Sequence, residues 1–138
     1  MSKYGETQTV LHEEKFLLDA LKEMGYQPEV HPGGAPLNSY YSEQEAKVAN
    51  IIIRRAQLPG AFGDVGFVRQ PDGQFTLIED ELGDHSGYGR KWLGRVQQIY
   101  KESQTLAVAQ VKGYRLKSRQ VIETSEVRQV RLQFVVRR

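Results

Sequence analysis

The sequence predicts an α+β fold in which two helices pack on one face of a mainly antiparallel sheet. Three observations support this prediction. Two amphipathic segments have helical spacing and are separated by several short segments with strand character. Each amphipathic segment ends at a glycine followed by a tyrosine, and a clear hairpin turn lies between them. Because most strands follow one another directly, an antiparallel sheet with its helices on one face is favoured.

The first three elements are predicted to be a strand, a helix and a strand. Residues 5–11 alternate loosely between polar and apolar side chains and precede the helix. Gly25 suits the left-handed position that ends a helix, and Pro28 forces the chain out of helical conformation, so residues 26–31 are predicted as a strand and residues 32–39 as a loop. The apolar stripe of the helix consists of Phe16, Leu17, Ala20, Leu21 and Met24.

A buried strand and a hairpin are predicted in the middle of the chain. Residues 48–55, VANIIIRR, are β-branched and too few for an ordinary helix. Two further strands flank the turn PDG, in which Pro71 presets φ for a type I turn and Gly73 supplies the left-handed residue of a G1 bulge. The side chains predicted to face the core from these two strands are Val65, Phe67, Phe75 and Leu77.

The C-terminal third is predicted to hold a second helix and two strands. The helix begins near Gly89 and runs, or restarts, as far as Gly113. A strand at residues 117–124 is expected to pair with the closing strand in 127–138. Two strand–helix–strand units around a hairpin suggest a ferredoxin-like core with extra strands. The apolar side chains of this helix are Trp92, Leu93, Val96, Ile99 and Tyr100.

Length and composition limit the class of protein. A chain of 138 residues is the size of one domain, and residues 1–138 are treated as a single domain. The absence of cysteine excludes disulfides, thiolate metal sites and cysteine nucleophiles. The sequence shows neither an apolar leader nor a run long enough to cross a membrane, so a cytoplasmic location without membrane contact is expected. No cofactor is implied.

Charge is distributed unevenly along the chain. Residues 112–138 hold eight Lys or Arg against two Glu, whereas the whole chain carries a net charge of only +2. This asymmetry suggests a surface for a polyanion or an acidic partner, although a solvated strand face is the more common explanation. The candidate nucleic-acid contacts are Lys117, Arg119, Arg131 and Arg137.

Residues 79–91 hold the second candidate site. Asp80, Glu81, Asp84 and His85 could supply ligands to a divalent cation, but their spacing matches no established metal motif, and a solvated strand end is the more common explanation, so no metal site is predicted. Arg90 and Lys91 stand at the start of the second helix, where a phosphate could bind. The alternative explanation is that the nearby glycines serve only to form turns.

The motifs together resemble a known family. They are the helix ending in Gly25 and Tyr26, the strand ANIII, the DVGF and PDG hairpin, and the helix carrying Gln98 and Tyr100. The chain resembles the hypothetical chloroplast reading frame thirty-five family, small uncharacterised proteins of cyanobacteria, other bacteria and plastids, catalogued as domain of unknown function number twelve fifty-seven. Asn50 stands where the family pattern leads us to expect Asp. The resemblance implies no catalytic residues.

The sequence therefore favours a small non-catalytic module that binds a macromolecular partner. No nucleophile has a base at a suitable spacing, and the elbow motif of hydrolases is absent. A protein partner is the first expectation, and a homo-oligomer stays open. The alternatives are a ligand-binding domain or enzyme that uses residues 79–91, and nucleic-acid binding through the basic C-terminal strands.

Overall fold

A computed structural model describes residues 4–38, 47–80, 87–124 and 128–136. These residues confirm the predicted α+β class with a mainly antiparallel sheet. Neither described α-helix combines the length and apolarity needed to cross a membrane. The elements in chain order are β1 (Tyr4–Gln8), α1 (Glu14–Glu23), β2 (Glu29–Pro36), β3 (Val48–Ile53), a turn of 3₁₀-helix (Arg55–Gln57), β4 (Val65–Arg69), β5 (Phe75–Asp80), α2 (Arg90–Val111), β6 (Tyr114–Glu123) and β7 (Arg128–Val136).

The described strands form two separate sheets. Five strands make an antiparallel sheet in the order β1-β5-β4-β3-β2, and β6 pairs only with β7. The ferredoxin-like core is not confirmed, because β1 and β2, which α1 connects, lie at opposite edges and every described pairing is antiparallel. Gly113 has a φ of 81° at the end of α2 and turns the chain back, so that the last two strands run along the helix.

The main core lies between the helices and one face of the five-stranded sheet. Side chains at alternate positions of β3, β4 and β5 point to this face, and the apolar stripes of both helices pack on it. The prediction that both helices share one face is therefore confirmed. The residues in this core include Phe16, Leu17, Leu21, Ile51, Ile53, Val65, Phe67, Phe75, Leu77, Trp92, Val96, Ile99 and Tyr100.

The central hairpin forms as its turn sequence predicts. The N–H of Gly73 donates to the carbonyl oxygen of Gln70 over 2.8 Å, and Gly73 has a φ of 88°. Asp72 Oδ1 accepts the N–H of Gln74 over 2.9 Å and holds the turn from within. The register places Phe67 opposite Leu77, so the predicted core-facing side chains of the two strands lie on one face.

Strand β2 differs from its prediction. It begins at Glu29 and continues to Pro36, so most of the predicted loop is strand with a register shift between Val30 and Ala35. The amide of Asn50 in β3 stabilises this irregularity, because its Nδ2 donates to two β2 carbonyls at 3.2 Å while its Oδ1 accepts the N–H of Arg69 at 3.0 Å. An aspartate at this position would lack the donor that the carbonyls require.

Candidate functional site

The β6–β7 hairpin contacts the rest of the described chain through a group of charged and polar side chains on α2. Glu102 has a side chain only 6% exposed and accepts a hydrogen bond from Arg119 Nε in β6, while Arg128 Nη2 of β7 lies 3.7 Å from its Oε2. Arg128 Nη1 also donates to Gln98 Oε1 over 3.1 Å. Glu23 of α1 accepts Arg119 Nη2 over 3.3 Å. Charged and polar groups therefore hold the hairpin on the two helices.

These contacts change the electrostatics of Arg119. Its hydrogen bond to the Glu102 carboxylate is the main cause that raises the pKa of Arg119 above the ordinary arginine value. The buried carboxylate and the two guanidinium groups depend on one another, because each charge would be costly if it lost its partner. The hairpin is thus fixed by an ion cluster that salt or a single neutral substitution can weaken.

The side of the hairpin that faces α2, here called the inner face, carries apolar side chains beside the charged Arg119, Glu123 and Arg128, and it is incompletely covered. None of the described residues of β6 and β7 is buried, in contrast to β3 and β4, where most residues are. Val136 is 67% exposed, and Val111 at the end of α2 is 88% exposed. The apolar side chains at inner positions of the register are Leu116, Val121, Val130, Leu132, Phe134 and Val136.

A shallow groove marks where the inner face and α2 separate. It encloses about 330 Å³ between Val108 and Ala109 of the helix and Tyr114 and Phe134 of the hairpin. The lining is mainly apolar and contains no carboxylate or histidine within the described residues. Such a groove can receive an apolar side chain.

The opposite side of the hairpin, here called the outer face, is polar and basic. The register alternates Gln129, Arg131 and Gln133 along β7, and the Ser118 hydroxyl donates to Gln133 Oε1 over 2.8 Å across the two strands. Arg115 extends the basic character on β6, and Ile122 on this face is 60% exposed. In the part of the hairpin that the structure describes, this face carries no acidic side chain.

The predicted nucleic-acid contacts do not share one surface. Arg119 lies on the inner face and is engaged by two glutamates, whereas Arg131 is exposed on the outer face. Lys117 is exposed at the β-bulge where the register of β6 shifts. Arg137 lies outside the described residues. Of the three that are described, Lys117 and Arg131 are therefore placed where a partner could meet them without displacing an ion pair.

The candidate metal and phosphate sites in residues 79–91 fall largely outside the described part of the chain. Glu81, Asp84 and His85 are not described, and of Asp80 only the backbone is, at the end of β5. No group of three potential metal ligands occurs among the described residues. Arg90 is the first residue of α2, and both it and Lys91 are exposed.

A second charged cluster lies at the β2 edge of the main sheet. Arg54 donates to both oxygens of Glu29 and to Asp64 Oδ2, all at 2.9 Å, and to the Pro36 carbonyl at 3.0 Å. His31 Nε2 lies 2.8 Å from Glu29 Oε1. The hydrogen bond from Arg54, followed by that from His31, lowers the pKa of Glu29 to about 2. Because four of the five guanidinium N–H donors of Arg54 already bond to groups of this chain, the cluster chiefly fastens strands together.

The carboxylate beneath the hairpin, Glu102, was not identified from the sequence, and Arg119 was predicted as a nucleic-acid contact and not as its ion-pair partner. Glu102 lies three residues after the buried Ile99, so it falls on the helix stripe that packs inward. A carboxylate at such a position indicates a buried cationic partner, and this signal was present in the sequence. The partner of Glu102 is Arg119 in β6. No pattern in the neighbouring residues determines which face of this strand packs on α2, so the pairing could not be predicted.

Comparison with known proteins gives one match. A family model described as "Protein of unknown function (DUF1257)" matches residues 20–130, which span α1 to β7. No curated protein and no solved structure matches the chain. The family resemblance drawn from the sequence motifs is thereby confirmed, and the chain belongs to the DUF1257 family of proteins of unknown function.

Proposed function

We propose that this protein is a cytosolic, non-catalytic module that binds a protein partner through the β6–β7 hairpin and the adjoining end of α2. The observation that carries the proposal is the lack of any buried residue in the described hairpin, although its inner face carries apolar side chains. A two-stranded hairpin gains little stability in water unless something covers its apolar side. A partner that covers this side would complete a core that α2 covers only in part.

The exposed apolar side chains form a continuous candidate surface. Val108 and Val111 lie on the last turns of α2, and Tyr114 and Val136 are paired where the hairpin begins. All four are at least 41% exposed. Aliphatic and aromatic side chains of this kind form the desolvated centre of protein interfaces. The groove beside Phe134 provides a pocket for an anchoring side chain from the partner.

Nucleic acid is the second candidate, and the basic outer face is the observation that favours it. Arg115, Lys117 and Arg131 have no ion pair within the described residues. The described outer face, however, has no aromatic side chain on which a base could stack, because Tyr114 and Phe134 belong to the inner face. The structure therefore gives less support to nucleic acid than to a protein partner.

The test is quantitative capture from lysate of the source cells with nuclease-treated and untreated halves. Val111→Asp and Val136→Asp place charge on the candidate surface at positions that are mostly exposed, so folding should be preserved. Val10→Asp is the matched control, since Val10 is 70% exposed and lies outside the hairpin and α2. Because each substitution buries a charge in the interface, the yield of a specific partner should fall about tenfold or more with either surface variant.

The outcomes separate the two candidates. A protein that survives nuclease, is lost with both surface variants and is retained with Val10→Asp supports the proposal. Equal recovery of that protein with all three variants would contradict it. Loss of all co-purifying protein after nuclease would favour nucleic acid, and binding of purified RNA that weakens steeply with salt would then be expected.

A further inference from the structure

The free edge of β7 is the most regular unpaired strand edge in the described hairpin. Strand β7 runs for nine residues without Pro or Gly, and within the described residues it pairs only with β6. Strand β6 is interrupted by a bulge between Leu116 and Ser118, a feature that discourages pairing along an edge. Apart from the Arg128 carbonyl, which accepts a hydrogen bond from Gln98 Nε2, the backbone N–H and C=O groups on the free side of β7 have no strand partner within the described residues and can pair with another strand.

The side chains along β7 specify which strand would fit. In a strand added beside β7, alternate side chains point to opposite faces of the sheet. One set would lie beside the apolar Val130, Leu132 and Phe134 of the inner face, and the other beside the outer-face side chains, which are Gln129, Arg131, Gln133 and, at the far end, Val135. Apolar residues suit the first environment and acidic residues the second.

From this geometry we infer that the partner contributes an extended segment of alternating apolar and acidic residues, which adds to the free edge of β7. The inference rests on the proposed function and deepens it, because it names the chemistry of the protein segment that the hairpin receives. Backbone hydrogen bonds would align the segment, Arg131 would attract its carboxylates, and the inner face would gain apolar cover.

Charge argues against a second copy of this chain as the occupant. Pairing of two β7 edges would place two identical outer faces side by side, each carrying Arg131 at the junction and Arg115 one strand further away on β6. Neither cation has an ion pair within the described residues, and the two copies of Arg131 would stand on neighbouring strands, where like charges are destabilising. An acidic segment instead neutralises the same groups, so charge complementarity selects a different partner.

The binding test uses defined peptides of about ten residues, enough to extend along β7. The probe alternates glutamate and valine, and its counterpart alternates lysine and valine. Fluorescence anisotropy should show saturable binding of the glutamate peptide and at least about tenfold weaker binding of the lysine peptide. Arg131→Glu should reverse this preference. Lys15→Glu, an exposed lysine on α1, is the matched control and should leave it unchanged.

Two N-methylated glutamate peptides test the strand geometry. Each peptide is methylated on one of the two alternate sets of backbone nitrogens. Because only alternate N–H groups of a strand point to its neighbour, one methylated peptide should lose binding and the other should retain it. Equal affinity of the two peptides would overturn strand addition.

Further measurements distinguish an acidic protein segment from the other molecules that could bind at the β7 edge. Failure of the glutamate peptide to bind at about millimolar concentration, the weak limit for a specific contact, would overturn the inference. Preferential binding of a polyuridine RNA, or a dimer in sedimentation equilibrium that forms without peptide, would do the same. If the glutamate peptide does not bind, but Val136→Asp still abolishes capture of the partner protein, the inference is wrong and the proposed function is retained. If Val136→Asp also leaves capture of the partner protein unchanged, the proposed function is wrong as well.

Discussion

Arg54 and Glu29 form a two-bond ion pair in which Nε and Nη2 of the arginine donate to the two carboxylate oxygens, each over 2.9 Å. The pair joins the residue after β3 to the first residue of β2 and lies at the edge of the main sheet. Arg54 and His31 both face the carboxylate, and together they hold the pKa of Glu29 at about 2. The pKa of Arg54 is raised in turn, chiefly by its hydrogen bond to Glu29.

The Glu29 pair predicts a loss of stability in acid. The folded-state pKa of Glu29, about 2, lies below its ordinary value of 4.5, so its stabilisation is complete above pH 4.5 and is lost as the pH falls towards 2. Because the side chain is 39% exposed and screened by solvent, we expect less than about 1 kcal/mol from this group. Urea unfolding of wild type and Glu29→Gln along this pH range should show their difference shrinking in acid. A difference that stays constant across the range would contradict the prediction.

Substitution of Asp64 is expected to lower the free energy of unfolding at neutral pH by more than substitution of Glu29 does. Its carboxylate is 3% exposed and accepts the N–H groups of Arg55 and Asn38, at 2.7 and 2.8 Å, as well as Arg54. Asp64→Ala removes the acceptor oxygens of all three hydrogen bonds, so the free energy of unfolding should fall by roughly 2 to 4 kcal/mol. Urea titration measures this change. Asp19→Ala, at an exposed position of α1, should change it by no more than about 0.5 kcal/mol, and equal losses in the two variants would argue against the role of Asp64.

Local chemistry determined which elements could be predicted from the sequence. The turn at Gly73 and the stripe of α2 depend on neighbours in the chain, and both are confirmed. The course of β2 depends on the amide of Asn50, which bonds carbonyls 18 and 19 residues away. Such long-range contacts leave no periodic pattern, so a Pro-Gly-Gly segment within a strand reads as a loop.

The candidate site was predicted only in part for the same physical reason. The excess of basic residues at the C-terminus directed the prediction to the last two strands, but charge alone does not reveal which guanidinium groups already have partners. Arg119 is bound by Glu102, 17 residues before it on α2, and so it does not share the exposed surface of Arg131. Counting charges therefore overestimated the number of cations available to a partner.

Gly66 and Gly94 provide a matched pair of glycine substitutions with opposite expected signs. A Cβ added to Gly66 would lie 2.6 Å from the Cβ of Ala49 and 2.9 Å from a methyl group of Leu37, whereas one added to Gly94 in α2 would meet nothing within 4 Å. Gly66→Ala should cost about 1 to 3 kcal/mol through overpacking, and Gly94→Ala should stabilise the helix by about 0.5 to 1 kcal/mol. Thermal unfolding of the two variants measures both effects. A destabilised Gly94→Ala would show that α2 tolerates no added side chain at this position.

Glu102 predicts that the hairpin can loosen independently of the main sheet. Glu102→Gln keeps the shape of the side chain but leaves Arg119 and Arg128 around a neutral group, which weakens the cluster that holds β6 and β7 on α2. Amide hydrogen exchange in both strands should become about tenfold faster or more, while exchange in β3 and β4 stays unchanged, because their side chains belong to separate core contacts. Glu23→Gln is the control. Glu23 is 50% exposed and contacts the cluster only through Arg119, so its substitution should accelerate hydrogen exchange less than Glu102→Gln does. Equal acceleration in both sheets would mean that the hairpin and the main sheet open as one unit, and the partner surface would then be as rigid as the core.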